Sequence, residues 1–298
     1  MKKIKEIFDG LPFQIRGALW MLLAALFFAF HGPIVRMATQ DSDPLMVSFI
    51  RSVFVFLIML PWIVKNRETA MRTNFLSKHA IRAVFSMSGF ILLVLAQAKL
   101  TLAEVSALTF AAPLFAIIGA VLFLKEVVKF QRWAATFVGL AGVWIVLRPG
   151  VEVVDPLFIL PVGAAAFIAA SNLMIKSLSS TESSNSIVAW LSIFSMPLTL
   201  VPALFVWSIP SYEGFFWIFL LGLFGVGAHM SLTRSLAAAE ASAVLPFDYA
   251  RLIFTATIAF FAFGEEPSIW TWVGGAIIVG AVAYIARVDG RDNRRELA

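Results

Sequence analysis

Leu100-Thr101-Leu102-Ala103-Glu104-Val105-Ser106-Ala107 returns later in the chain as Leu236-Ala237-Ala238-Ala239-Glu240-Ala241-Ser242-Ala243. In both copies a small-residue turn carrying one glutamate opens a long apolar stretch. Outward from these two points, nearly everything between about Gly17 and Arg287 reads as apolar segments of bilayer-crossing length, each closed by charges, prolines or a short polar turn. Cutting at those breaks gives ten spans: 17–38, 44–64, 79–98, 101–123, 132–148, 156–177, 186–207, 213–234, 241–262 and 269–287. The repeated octets then open spans four and nine. A looser match aligns spans one and six, Phe28-Ala29-Phe30-His31-Gly32-Pro33-Ile34-Val35-Arg36 against Ile168-Ala169-Ala170-Ser171-Asn172-Leu173-Met174-Ile175-Lys176, with a polar residue mid-span and a basic one near its end. Five spans per half is an odd number, so the second copy must sit upside down. The expected fold is an all-α membrane protein of ten transmembrane helices in two inverted five-helix repeats, 17–148 and 156–287, between a cytoplasmic segment 1–16 and a cytoplasmic tail 288–298.

Composition agrees with this reading. Of 298 residues 60% are hydrophobic and 14% charged, and the mean hydropathy is +0.90. A water-soluble fold could not cover such an exterior, whereas lipid accepts it. The basic start Lys2, Lys3, Lys5 precedes a run that is long, holds His31-Gly32-Pro33 and Arg36, and lacks a small-residue cleavage pattern; it is read as the first span. With the N-terminus cytoplasmic, about 18 of the 23 basic residues fall on the inside, while the outer turns keep Asp41, Asp43, Glu152, Asp155, Glu213, Glu265 and Glu266 against only Lys99 and Arg148. Both termini are therefore expected in the cytoplasm, and the chain in the inner membrane of a bacterium. The net charge of +5 is this asymmetry, without the aromatic-interleaved basic patches of a nucleic-acid binder.

Several chemistries are excluded. Cysteine is absent, which removes disulfides, thiolate metal sites and cysteine nucleophiles. The three histidines, His31, His79 and His229, form no HExxH pair, and no GxxxxGK[ST] or GxGxxG loop occurs. A lipid-acting membrane enzyme would need paired carboxylates or a histidine cluster, and none is visible; a passive pore or assembly subunit has little use for inverted halves with buried charge. A secondary transporter of a small organic metabolite, cycling by alternating access, remains the leading reading. Without an ATP-binding loop any concentrative work must come from a proton, an ion or exchange with a counter-substrate. No catalytic residue, metal or cofactor is expected; the partners are a small-molecule substrate and the lipid bilayer, with self-association into a homo-oligomer left open.

The Glu-x-Ser-Ala starts of spans four and nine, the segment from Pro113-Leu114-Phe115 to Leu124-Lys125-Glu126, and Pro246-Phe247-Asp248-Tyr249-Ala250-Arg251-Leu252-Ile253-Phe254 followed by Phe263-Gly264-Glu265-Glu266-Pro267 resemble the EamA-type family of the drug/metabolite transporter superfamily. The resemblance covers about residues 16–287. It implies a helical basket whose cavity is lined mainly by spans one, three, four, six, eight and nine, and substrates such as amino acids, vitamins or other metabolites. The second half lacks a proline equivalent to Pro113, so the two halves need not move identically.

Ionisable groups inside the membrane cost about 2.5–3.5 kcal/mol each on insertion scales, which makes every one a candidate facing a cavity or a partner. Asp248 and Arg251 share a helix face that Thr255 extends; they can neutralise each other, Asp248 can pair with Arg51 of span two, or they can meet solute or a proton. Tyr249 beside them offers a ring and a hydroxyl. His31 can bind solute or titrate, or serve as an interhelical hydrogen bond, and Gly32-Pro33 permits a kink. Asn172, with Lys176 a turn on, holds the related place in span six. In span eight Gly222, Gly225, His229 and Thr233 form a smooth and then polar stripe. Gln97 at the outer end of span three either bridges helices or faces the cavity. Phe28 and Phe110 can stack a planar ring or hold a cation, favouring an aromatic or amphipathic substrate. Thr101-x-x-Glu104 reads as a capping box, and Glu104 and Glu240 are gating or capping candidates. Asp43-Pro44 and Asp155-Pro156 are helix starts, and Asp41-x-Asp43 needs no metal to explain it.

Overall fold

The computed structural model describes residues 11–70, 72–100, 105, 108–109, 111–126, 128–147, 156–263 and parts of 269–284. Among these, six helical segments are long and apolar enough to cross a membrane: Phe13–Ala38, Pro44–Lys65, Leu76–Lys99, Pro156–Leu178, Ser184–Val206 and Tyr212–Ala238. Two shorter apolar helices cover Phe115–Leu124 and Trp133–Gly142. The chain is thus a multi-pass all-α membrane protein. Its widest apolar side chains, Phe123, Phe130, Phe205 and Phe261 among them, point outward, as a lipid solvent allows.

The first segment is two helices, α1 (Phe13–Ala29) and α2 (His31–Ala38), separated at Phe30. Pro33 supplies no N–H to Ala29, so the ladder opens where Gly32-Pro33 suggested it would. Asp43 starts α3 (Pro44–Lys65): its carboxylate accepts from the Leu45 N–H at 2.8 Å, and Pro44 takes a first-turn position where no N–H is required. After the single turn α4 (Arg67–Ala70), α5 (Leu76–Lys99) runs straight through. α6 (Ala112–Gly119) passes into a π-turn at Ala120–Leu124 that ends on Lys125, whose φ of 56° is left-handed. α7 (Phe130–Leu147) follows. In the second half come a 3-10 turn at Pro156–Phe158, α8 (Ile159–Leu178), α9 (Ser184–Ala203), α10 (Tyr212–Ala238) and the short α11 (Ala241–Val244), then a 3-10 turn at Leu245–Tyr249 before α12 (Ala250–Phe263). The expected continuous span 241–262 is therefore broken: Pro246 cannot donate to a helical ladder, and the backbone tightens around it. Asp155, Glu104 and Phe110 lie outside the described residues.

Helix contact is made by small residues. Ala24, Ala25 and Ala29 of α1 and Ala164, Ala165 and Ala169 of α8 are all buried, letting backbones approach where lipid offers no hydrophobic drive. α1 packs along α10 and α5 along α8, while α3 packs on α9 and α10 and α12 lies against α1. Two acidic loops tie the ends together. Asp41, between α2 and α3, accepts from the Ser211 N–H at the start of α10 (3.1 Å). Glu182, between α8 and α9, accepts from the Thr73 hydroxyl just ahead of α5 (2.6 Å). Asp41 also accepts from Ser42, and hydrogen bonding, chiefly to Ser211, holds its carboxyl below the ordinary range.

Candidate functional site

The described helices surround a central cavity. α1 and α2 give it Met21, Phe28, Ala29, His31 and Gly32; α5 gives Ser86, Phe90, Leu93 and Gln97; Val105, Thr109 and Ala112 line the next wall. From the second half come Ile168, Ser171 and Asn172 of α8, His229 and Leu232 of α10, and Leu245, Asp248, Arg251 and Thr255 around the 3-10 turn and α12. Arg51 of α3 completes the wall.

Two phenylalanines organise this space. Phe28 has His31 edge-on at 5.3 Å and His229 edge-on at 5.7 Å, and the Arg251 guanidinium lies 5.9 Å from its centroid. Phe90 has His31 at 6.4 Å and Arg51 over its face at 4.1 Å. Arg251 Nη2 pairs with Asp248 Oδ2 at 3.1 Å, so the partner of Asp248 is the local arginine and not Arg51. What remains is hydrogen-bonding capacity aimed inward. Asp248 Oδ1, Gln97 Oε1, His31 Nε2, His229 Nδ1 and Arg51 Nε are buried without a protein partner. Such groups are costly inside a membrane unless water or solute takes them up.

Of the residues singled out in sequence, the structure gathers Phe28, His31, Gln97, Asn172, His229, Asp248 and Arg251 around one cavity, with Thr255. Tyr249 it does not. The 3-10 turn swings that side chain to the far side, where it is buried, donates to Thr136 O at 3.5 Å and lies against Gly139, at which a Cβ would come within 2.7 Å of the ring. Lys176 also points elsewhere, donating to Leu236 O (3.0 Å) and Ala239 O (2.7 Å) at the end of α10. Glu240 occupies the position before α11 but makes no side-chain cap. The cap of α11 comes instead from Glu126, whose two carboxylate oxygens accept from Ala241 N–H at 3.2 Å and Ser242 N–H at 3.3 Å. The left-handed Lys125 turns the chain so that Glu126 reaches across. The sequence did not place Phe90 or Arg51 on the cavity, nor Glu126 at its cap; the helix of Arg51 lies outside the expected lining set.

Comparison with known proteins settles the family. The profile of the EamA-like transporter family matches residues 15–148 and again residues 157–287. The chain belongs to that family. It is a secondary transporter of a small organic metabolite and not an enzyme. The transporter is 34% identical over 288 residues to a riboflavin transporter of Vibrio cholerae, covering 95% of this chain and 96% of that one. It is 33% identical to a riboflavin transporter of Rhizobium johnstonii, with 94% and 93% covered. An S-adenosylmethionine uptake transporter of Rickettsia prowazekii is similar at 26% identity, with 93% and 94% covered. A solved crystal structure shares the transporter's fold with a TM-score of 0.78 at 15% identity, covering 92% of this chain and 98% of that one.

Proposed function

We propose that the transporter carries riboflavin, or a planar heteroaromatic compound closely like it, across the bacterial inner membrane by alternating access. The observation that carries this reading is the cavity wall itself: Phe28 and Phe90, each with an arginine over or near its ring, flanked by unpartnered acceptors and donors at Asp248, Gln97, His31 and Arg51. A flavin ring has a flat face for the phenylalanines, an acceptor-rich edge for a guanidinium, and one ring N–H for a carboxylate oxygen. Its hydroxylated tail suits Ser86, Thr109, Ser171 and Asn172, which share the wall. The names of the more similar relatives point the same way.

The working architecture is ten spans in two inverted halves, 17–148 and 156–287, with both termini cytoplasmic. Support comes from the packing, which pairs helices as exchanging span n with span n+5 requires: α1 with α10 and α5 with α8, α12 with α1 and α6 with α8. Asp41 holding the start of α10 and Glu182 holding the turn before α5 are exchanged in the same way. Coupling to a proton is assigned to Asp248 or His31, both on the cavity wall.

Purified transporter in proteoliposomes tests the substrate directly. Saturable riboflavin uptake, with counterflow of labelled riboflavin, is expected. Folded protein that shows no saturable riboflavin flux but moves S-adenosylmethionine would overturn the reading.

A further inference from the structure

α3 is not among the spans expected to line the cavity, yet it enters with the only charge in its interior. Arg51 is 2% exposed and stands on the cavity wall. α10 carries a glycine where the guanidinium passes: a Cβ at Gly225 would lie 2.6 Å from Arg51 Nη2. The guanidinium rests on the Phe90 face, its Nε has no acceptor, and no carboxylate pairs with it among the described residues. Asp248, the sole carboxylate on the described wall, is engaged by Arg251. Asp248 and Arg251 therefore cancel, and among the described residues of the wall Arg51 is one positive charge in excess. Protonating His31 or His229 only adds to it. A ring face is a partial partner for a cation, and a buried charge lacking a counter-charge is strongly unfavourable unless something else satisfies it. A niche built for a charge that no described residue neutralises is the arrangement expected where the neutralising group arrives with the solute.

We propose that Arg51 sets the charge selectivity of this cavity: the solute it admits is a planar ring compound that brings an anionic or acceptor-rich edge to the guanidinium, and a cationic ring compound such as a sulfonium is refused. The inference rests on the reading of this cavity as the solute site and adds to it the sign of charge that the site accepts.

The test uses two pairs of probes alike in ring and different in charge, riboflavin 5′-phosphate against riboflavin and S-adenosylhomocysteine against S-adenosylmethionine, titrated onto the purified full chain while its melting is followed. Wild type is expected to bind the less cationic member of each pair about tenfold more tightly. Arg51→Met should melt higher than wild type without ligand, since an unpaired buried charge is gone, and should bring both ratios close to one. Arg51→Lys should keep part of the preference, and it serves in place of the methionine variant should that one not fold. Equal or inverted binding in wild type, no stabilisation by either riboflavin 5′-phosphate or S-adenosylhomocysteine at millimolar concentration, or an Arg51→Met protein that retains the ratios would each overturn the proposal. If riboflavin is not transported but S-adenosylhomocysteine still outbinds S-adenosylmethionine through Arg51, the flavin reading fails and this one stands. Riboflavin flux without any charge preference sinks this one alone.

Discussion

Asp248 keeps one carboxylate oxygen on Arg251 and the other, Oδ1, buried and unpartnered on the cavity wall. A pair serving only to neutralise itself would not leave that oxygen unused. Exchanging the two residues (Asp248→Arg with Arg251→Asp) preserves neutrality and is expected to leave a folded protein, whereas either single neutralisation strands a charge. We expect Asp248→Asn to remain folded in detergent, because the amide can still accept from Arg251, while riboflavin flux falls at least about tenfold, the loss of one charge-assisted hydrogen bond to solute. Flux at wild-type level with an unchanged pH profile would remove Asp248 from the mechanism and leave His31 next. The sequence named this pair because two opposite charges three residues apart in an apolar run have few other uses. It misled at Tyr249, since a residue beside the pair on a regular helix lies near the same face, and only the 3-10 turn at Leu245–Tyr249 carries it away to α7.

Elements reveal what single residues conceal. The long apolar helices and the helix start at Pro44 are legible because burial in lipid demands long apolar runs and satisfied first-turn N–H groups. Contacts across the halves are not legible, because a carboxylate such as Glu126 gives no sign in sequence of which distant helix it caps. The π-turn that delivers Glu126 ends on Lys125 in a left-handed conformation that costs a non-glycine residue on the order of 1 kcal/mol. The second half has Gly264 at the corresponding place in sequence. Lys125→Gly should accordingly raise the melting temperature with flux retained; a lower melting temperature would show that the lysine makes a contact worth more than the strain. At the opposite loop, Asp41 titrates below its ordinary range because Ser211 donates to its charged form. A carboxyl depressed on folding stabilises above its unfolded pKa, and that contribution disappears as the pH falls through the folded value. Wild type should therefore lose stability below the normal carboxylate range more steeply than Asp41→Asn, which should already melt lower at neutral pH; parallel profiles would mean that the loop contact contributes nothing.

At the scale of the whole molecule, one face of α5 runs the length of the membrane: His79, Arg82, Ser86, Phe90, Leu93 and Gln97 recur at helical spacing. The cavity reaches the last four and stops. Below it Arg82 and His79 are fully buried, Arg82 donating to Ile187 O at 2.7 Å and keeping Nε and Nη2 unpartnered, His79 standing 3.9 Å from Glu182. A cavity that stops where the stripe continues as buried polar groups is the arrangement alternating access requires, since the same stripe must be wetted from each side in turn. The absence of native cysteine makes the prediction directly measurable. Gln97→Cys should react with a membrane-impermeant maleimide from the outside, and His79→Cys only from the cytoplasmic side. Conditions that drive turnover, such as riboflavin on one side alone, should lower the first rate as they raise the second. Simultaneous labelling of both positions from one side would describe a continuous channel. Labelling that no solute alters would mean that this stripe is a static packing face, with the moving path elsewhere in the fold.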